Sequence, residues 1–303
     1  MFQHHVSSLT NRLFQTAAVG LFAYLISIGA VHAGVDLNGD GMSDIWQLIF
    51  HAQGVDPKAD ADGDGQTNLQ ESIAGTDPFN ANSAFKVTKV DSAGGNITLH
   101  WPSVRGKRYQ VYSSTNLTSW VAVGSVLAGT GNELTATLAK GSAPNFFRVN
   151  VSDVDTDGDG VNDWEEIQVG LDPNKTSTDG TNTDYNRVVA ALQAASATLT
   201  VSEIDPVQTQ DGMTPGTFTI SRSGRLDPVT VTYNLNGTAV PGTDYQPLSG
   251  TATVPFGFGP ATVQVTAISG STSTRTLTMN LNSAPPGSGY QLGTPSSARE
   301  ARA

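Results

Sequence analysis

Asp155-Thr-Asp157-Gly-Asp159-Gly160-Val161-Asn-Asp163-Trp-Glu-Glu166 is the stretch on which the reading of this chain turns. Its oxygen-bearing side chains fall at positions 1, 3, 5, 9 and 12 of a twelve-residue loop, and position 6 is Gly. Such spacing lets alternate side chains converge on one hard cation, while position 7, Val161, offers its backbone carbonyl and the last carboxylate binds with two oxygens. The glycine permits the sharp turn. Asp60-Ala-Asp62-Gly-Asp64-Gly65-Gln66-Thr-Asn68-Leu-Gln-Glu71 repeats the pattern, with Gln66 at position 7 and Asn68 at position 9. A third, weaker copy is Asp36-Leu-Asn38-Gly-Asp40-Gly41-Met42-Ser-Asp44-Ile-Trp-Gln47, where Gln47 replaces the final carboxylate. Its expected ligands are Asp36, Asn38, Asp40, Met42 and Asp44.

Twelve of the 27 acidic residues stand at these ligand positions. Two carboxylates about 6 Å apart repel by about 0.7 kcal/mol even at water's dielectric, and each loop holds several such pairs. A divalent cation reverses the sign of that energy. Calcium suits a flexible multi-oxygen loop better than magnesium, which gives up its waters reluctantly. The plain alternative is a solvated Asp/Gly turn.

The residues beyond each loop extend the repeat. The segments from Asn68 to Ala74 and from Asp163 to Val169 each read as a two-turn helix, ended by Gly75 and Gly170 as left-handed caps and then by Asp77-Pro78 and Asp172-Pro173. Asp60 and Asp155, Glu71 and Glu166, and Pro78 and Pro173 are each 95 residues apart, which marks an internal repeat. The earliest copy is longer, ending at Gly54-Val55-Asp56-Pro57, and its helix carries Ile45, Trp46, Ile49 and Phe50 for burial.

The pattern D-x-D-x-D-G-x-x-D-x-x-E with a G-x-D-P tail resembles the thrombospondin type 3 repeat of secreted bacterial proteins, over residues 36–80 and 155–174. That resemblance implies calcium chelation and a compact spacer role. Dockerin and EF-hand loops share the first half of the pattern, and the 24-residue step from Asp36 to Asp60 suits a dockerin pair. The G-x-D-P tails argue for the former. A decayed fourth copy lies at Thr176 to Asp184, where Asp179 and Asp184 remain but the alternation is lost, so no ion is assigned there.

Composition limits the rest. The 303 residues carry 32 Gly, 15 Pro, no Cys, and 16 Lys plus Arg against 27 acids, for a net charge of -11. This is the profile of a turn-rich β protein without disulfides or thiolate chemistry, and its acidity disfavours nucleic acid as a partner. At the N-terminus His4, His5 and Arg12 precede an apolar stretch from Thr16 to Val31, and Val31-His32-Ala33 offers the small residues a signal peptidase reads. We therefore expect residues 1–33 to be an export signal cleaved after Ala33, with no stable membrane span afterwards; a retained anchor is the alternative. Only His51 and His100 lie beyond it, too few for a histidine-rich metal site or a charge relay.

Between the second and third loops, Ile97 to Trp101, Arg108 to Tyr112, Trp120 to Val123, Leu134 to Leu138 and Phe146 to Val149 alternate apolar and polar residues. Five or six short strands over Phe85 to Val151 predict a small antiparallel sandwich. It is similar to a fibronectin-type module, with Trp101, Tyr109 and Trp120 read as core rather than as sugar-binding rings.

After the third loop, Thr183 to Ser196 reads as a helix with Tyr185, Val188, Val189 and Leu192 on one stripe. Six period-two strands come next, at Ala197 to Glu203, Gly216 to Arg222, Val229 to Tyr233, Ala252 to Val254, Ala261 to Val265 and Thr276 to Leu281. Gly237-Thr-Ala239-Val-Pro-Gly242-Thr-Asp244-Tyr245, with Phe218-Thr-Ile220-Ser-Arg222 before it and Tyr290-Gln-Leu292-Gly293 after it, resembles the Calx-beta domain. That family implies a calcium-binding sandwich, and Glu203 and Asp244 match two of its acids. Its acidic cluster is replaced by Ser269 to Thr274, and the sequence leaves the strand pattern at Ser297 to Ala303, so the domain is expected to lack ion and final strand alike. A missing last strand would expose a sheet edge, and the chain would then be a fragment of something longer.

No G-x-S-x-G elbow, H-E-x-x-H pair or phosphate-cradling loop occurs, and the acids are claimed by ligand spacing, so no enzymatic activity is expected. The expected fold is mainly β: two antiparallel β-sandwich domains joined by short EF-hand-like calcium-loop/helix units. The expected domains are a signal peptide at 1–33, repeats 1 and 2 at 34–83, a fibronectin-type sandwich at 84–152, repeat 3 with a linker helix at 153–196, and a truncated Calx-beta-like sandwich at 197–303. The expected function is a secreted or cell-surface calcium-binding structural or adhesion protein, with an extracellular protein or polysaccharide partner. The alternative is a dockerin-like or carbohydrate-binding accessory module.

Overall fold

A computed structural model describes residues 34–140, 146–203, 216–268 and 275–301. The export signal read at 1–33 and the acid-free segment 269–274 lie outside them. The fold is mainly β, and the chain divides into two compact units. One runs to Ile167 and includes Asp172–Thr176; the other comprises Gln168–Leu171 and Ser177–Ala303.

The first unit contains β1 (Lys89–Ala93), β2 (Asn96–Pro102), β3 (Lys107–Ser114), β4 (Val121–Ala128), β5 (Glu133–Ala139) and β6 (Phe146–Asp153). They form two antiparallel sheets, β1-β2-β5 and β4-β3-β6. Alternation places Ile97, Leu99 and Trp101 of β2 against Tyr109 and Val111 of β3 and Phe147, Val149 and Val151 of β6, forming one core. Strand β1 carries no apolar alternation and is mostly exposed, so it is held by backbone pairing to β2. Trp101 and Tyr109 are buried as expected, but Trp120 is not among the buried residues. The Arg148 guanidinium lies 4.5 Å from the Trp120 ring and 5.1 Å from that of Tyr112.

Three short helices belong to the loops: α1 (Asp44–Ile49), α2 (Asn68–Ala74) and α3 (Asp163–Val169). The last two match the expected bounds, because capping by Thr67 and Asn162 starts them and left-handed glycines end them. Helix α1 buries Ile45, Trp46 and Gln47, while Ile49 and Phe50 are only half-buried.

The second unit holds α4 (Asp184–Gln193) and strands β7 (Ala197–Glu203), β8 (Gly216–Gly224), β9 (Val229–Gly237), β10 (Thr251–Val254), β11 (Ala261–Val265), β12 (Thr276–Leu281), β13 (Tyr290–Leu292) and β14 (Ser297–Ala301). Two four-stranded sheets, β10-β9-β12-β14 and β11-β8-β7-β13, enclose a core that includes Leu199, Phe218, Ile220, Val231, Val263 and Met279. Buried Arg222 fastens both sheets' loops by donating to the carbonyls of Arg225, Asp227, Val254 and Pro255.

Three details depart from expectation. Helix α4 buries Asp184, Val188 and Ala191, and leaves Tyr185 exposed: the inward stripe is set by its N-terminal acid rather than by its aromatic ring. One pairing is parallel, β13 with β7. The final strand, expected to be missing, is present, since Ser297–Ala301 pairs with β12 over five residues. An edge strand is held through its backbone on one side, so it forms with little apolar alternation, here with Ala298 against the core.

Candidate metal centre

In the loop at 60–71, the early acids spend oxygens on the turn, Asp60 both of its own and Asp62 and Asp64 one each. Asp60 accepts the Gly63 N–H at 2.7 Å and the Gly65 N–H at 3.0 Å, Asp62 Oδ1 accepts Asp64 N–H at 3.1 Å, and Asp64 Oδ1 accepts Gln66 N–H at 2.7 Å. Gly65, at φ +96°, makes that sharp turn without strain. Five acceptor oxygens of this loop, Asp62 Oδ2, Asp64 Oδ2, Gln66 Oε1, Asn68 Oδ1 and Glu71 Oε2, are buried without a hydrogen-bond partner. Each such acceptor costs about 1–3 kcal/mol when left unmatched. Four of the five are acceptors outright and the fifth, on Glu71, is one when ionised, which is the donor set a hard cation takes. Carboxylate oxygens of Asp60, Asp62 and Asp64 lie within 4.8 Å of one another. Two oxygens on one calcium ion are at most about 5 Å apart, so the group fits that ion.

Glu71 closes this loop from helix α2. It is fully buried, and burial, together with the charges of Asp62 and Asp64, pushes its carboxyl up to about 8. Thr76 Oγ1–H donates to its Oε1 at 3.3 Å. Position 7 differs from expectation in that the Gln66 side-chain oxygen joins the buried, partnerless set.

The loop at 155–166 has the same frame. Asp155 accepts from Gly158 and Gly160 at 2.7 and 3.0 Å, Asp157 from Asp159 at 3.1 Å, and Asp159 from Val161 at 2.8 Å. Asp155, Asp157 and Asp159 gather within 4.8 Å, and Glu166 is fully buried. Asp163 is diverted: the Thr156 N–H and Oγ–H both donate to it at 2.7 Å. Position 9 commonly reaches an ion through water, so this bracing is compatible with a site.

The loop at 36–47 keeps the frame but not the partnerless acceptors. Asp36 accepts from Gly39 and Gly41, Asn38 Oδ1 from Asp40, and Asp40 Oδ1 from Met42, at 2.7 to 2.9 Å. Its Asp40 carboxylate is instead met by amide N–H groups. Asn38 Nδ2 and Gln47 Nε2 donate to Asp40 Oδ2 at 2.9 and 2.7 Å, and Asp44 accepts Leu37 N–H at 2.7 Å. Asp36, Asp40 and Asp44 do not form a metal-holding group among the described residues.

Sequence reasoning missed Glu165. Its carboxylate is fully buried and accepts from Val35 N–H at 3.1 and 3.2 Å, from Asn162 N–H at 3.1 Å and from Ser43 Oγ–H. Burial pushes its carboxyl up to about 8 against the lowering effect of those donors. The spacing of Asn162 and Glu165, three apart, is the available signal: such a pair exchanges hydrogen bonds at a helix start. The loops are further tied by Ser43 N–H to Ser72 Oγ at 3.0 Å and Trp46 Nε1–H to the Thr76 carbonyl at 2.7 Å. Lys107 of β3, also fully buried, donates to Asp153 at 2.5 Å and lies 4.7 Å from the Trp164 ring.

In the second unit, Asp244 is buried, accepts Val240 N–H at 2.8 Å and faces Arg275 Nε at 3.8 Å. Glu203 ends β7.

Residues 60–81 and 155–176 match the family model of the bacterial TSP3 repeat. Both of these loops thus match the TSP3 repeat, and the loop at 36–47 lies outside the match. No curated protein matches the chain. Solved structures similar to it include the apo form of the Calx CBD1 domain, at 18% identity and TM-score 0.30, covering 35% of this chain and 96% of that one. The calcium-binding domain CBD12 of CALX1.1 is similar at 18% identity and TM-score 0.29, covering 34% of this chain and 43% of that one. The BSP domain of a biofilm-associated protein is similar at 12% identity and TM-score 0.18, covering 87% of this chain and 35% of that one. Among the described residues no helix is long and apolar enough to cross a membrane.

Proposed function

We propose that this chain is a secreted or cell-surface structural protein in which calcium orders the TSP3 repeats on either side of the first sandwich in sequence. The supporting observation is the gathering of Asp60, Asp62 and Asp64 carboxylate oxygens within 4.8 Å of one another, in a loop where five acceptor oxygens are buried without a hydrogen-bond partner. Asp60, Asp62, Asp64, Gln66, Asn68 and Glu71 would hold one ion; Asp155, Asp157, Asp159, the Val161 carbonyl and Glu166 would hold another, with Asp163 behind water. The ion supplies the positive charge that lets Glu71 stay ionised in a buried position. The domain order is that of the sequence: export signal, loops, sandwich, loop and helix, second sandwich. Its role is that of a calcium-stiffened spacer presenting adhesive surface, without catalysis.

Of the rings weighed for sugar binding, Trp101 and Tyr109 are buried and Trp120 has the Arg148 guanidinium 4.5 Å from its ring. Extracellular calcium modules bind at about 10⁻⁴ to 10⁻³ M, and at about 100 times the dissociation constant each independent site adds about 2.7 kcal/mol of stability. The test is a calorimetric calcium titration of the chelator-treated protein with a parallel thermal melt. Binding with a rise in melting temperature is expected; no heat and an unchanged melt at millimolar calcium would overturn the proposal.

A further inference from the structure

The loops differ at position 12, where the TSP3 repeats carry Glu71 and Glu166 and the loop at 36–47 carries Gln47. Position 5 registers the consequence. Asp64 Oδ2, in the loop closed by Glu71, is buried without a partner, whereas the corresponding Asp40 Oδ2 receives two N–H donors, one of them from Gln47. The orientation of Asn38 is set by its own Oδ1, which accepts Asp40 N–H, so its Nδ2 necessarily points the donor inward.

The segment 177–187 is a fourth loop of the same construction, one residue shorter. Thr178 N–H and Oγ–H donate to Asp184 at 2.9 and 2.5 Å, as Thr156 does to Asp163. Gly180, at φ +72°, corresponds to Gly158 at +78°. Thr183 accepts Asn186 N–H as Asn162 accepts Glu165 N–H, and helices α4 and α3 begin at Asp184 and Asp163. On this alignment Arg187 holds the place of Glu166 and Asp179 that of Asp157. The Arg187 guanidinium sits 3.3 Å from Asp179 Oδ2 and 3.4 Å from Asp184 Oδ1, with its face 4.5 Å from the Phe258 ring. Carboxylates at the third and ninth places thus meet a positive charge supplied by the twelfth.

We propose that position 12 decides which of the four loops takes an ion: glutamate makes a calcium site, while the donors Gln47 and Arg187 close their loops from within, without a metal. This rests on the calcium reading of the two TSP3 repeats and removes the loop at 36–47 from the set of ion sites. The physical reason is charge balance. An acceptor at position 12 adds to a ring of inward oxygens that only a cation neutralises, and a donor at the same place removes that demand while occupying the space.

The test is calcium stoichiometry, by titration calorimetry and equilibrium dialysis of the full chain with calcium chloride at millimolar concentration. The wild-type chain should bind two ions, and Glu71→Gln with Glu166→Gln should bind none. Gln47→Glu completes the motif at 36–47, in which Asn at position 3 is an ordinary ligand, and should raise the count to three. Arg187→Ala should lower the melting temperature equally in calcium and in chelator, since its role needs no metal. Three ions on the wild-type chain, an ion retained by the double variant, a count of two for Gln47→Glu with an unchanged circular dichroism spectrum, or calcium rescue of Arg187→Ala would each overturn the position-12 assignment alone. Zero ions on the wild-type chain would overturn it together with the calcium reading.

Discussion

Ser43 and Glu165 are 122 positions apart in sequence and share a buried hydrogen bond, Ser43 Oγ–H donating to the carboxylate. The same Ser43 oxygen accepts Trp46 N–H at 3.1 Å and so caps α1. One hydroxyl therefore starts a helix in the first loop and gives a donor to a buried carboxyl group in the third. Ser43→Ala should cost about 1 kcal/mol for the cap and more for the acceptor left short of a donor. A double-mutant cycle with Glu165→Gln, read by urea denaturation in calcium, should give a coupling of about 0.5–3 kcal/mol; additive effects would show that the two residues act separately.

Lys107 and Asp153 form a buried pair, with side chains 1% and 7% exposed. Lys107→Met strands the carboxylate and should destabilise the protein by about 3–5 kcal/mol, while adding Asp153→Leu should recover much of that loss. Chemical denaturation of the single and double variants checks this.

Gly106 has φ +78°, and a Cβ there would lie 2.4 Å from the Trp164 backbone nitrogen. Both the left-handed conformation and the close approach oppose a side chain. Gly106→Ala should destabilise by about 1–3 kcal/mol and shift the Trp164 fluorescence, whereas an unchanged emission spectrum would show that the contact yields.

Glu71 gives the calcium response its pH dependence. Its carboxyl titrates near 4.5 ordinarily and is pushed up to about 8 in the calcium-free fold, so the folded apo protein binds a proton that the unfolded chain has lost. Apo stability should therefore fall as pH rises from about 4.5 to about 8 and level off above that. Calcium displaces the proton, so affinity should climb by up to about tenfold per pH unit across the same window. Glu165 is shifted in the same sense by burial, so the comparison is repeated in Glu71→Gln, where the calcium-linked pH dependence of this loop should vanish. Calorimetry in buffers of different ionisation enthalpy should register about one proton released at this site.

Much of the fold is legible in the chain. The bounds of α2 and α3 come from cap residues and terminal glycines, and most strands come from alternation, because both are local signals. The illegible parts depend on partners distant in sequence. Glu165 reads as one of two adjacent acids, and only the fold shows it turned onto Val35 and Ser43. Strands β1 and β14 owe their form to a neighbouring strand's backbone rather than to their own side chains. Trp120 sits in an alternating stretch but precedes β4, most of whose residues are exposed, so periodicity misassigns it to the core. The loop at 36–47 fits the ligand spacing, yet spacing cannot say that an amide at its end turns a donor inward.

Gly75, which ends the second loop's helix, approaches Trp164 of the third loop so closely that a Cβ would lie 2.9 Å from its indole nitrogen. The chain thus departs for the whole of β1–β6 and returns to the spot it left, making the sandwich an insertion whose two ends meet. The three loops are neighbours in space though interrupted in sequence, and the β2–β3 turn, through Gly106 and Lys107, is part of their junction. A sandwich with such closed ends can lengthen at its outer turns without re-registering the array that carries it, provided its β2–β3 turn keeps the contact with Trp164.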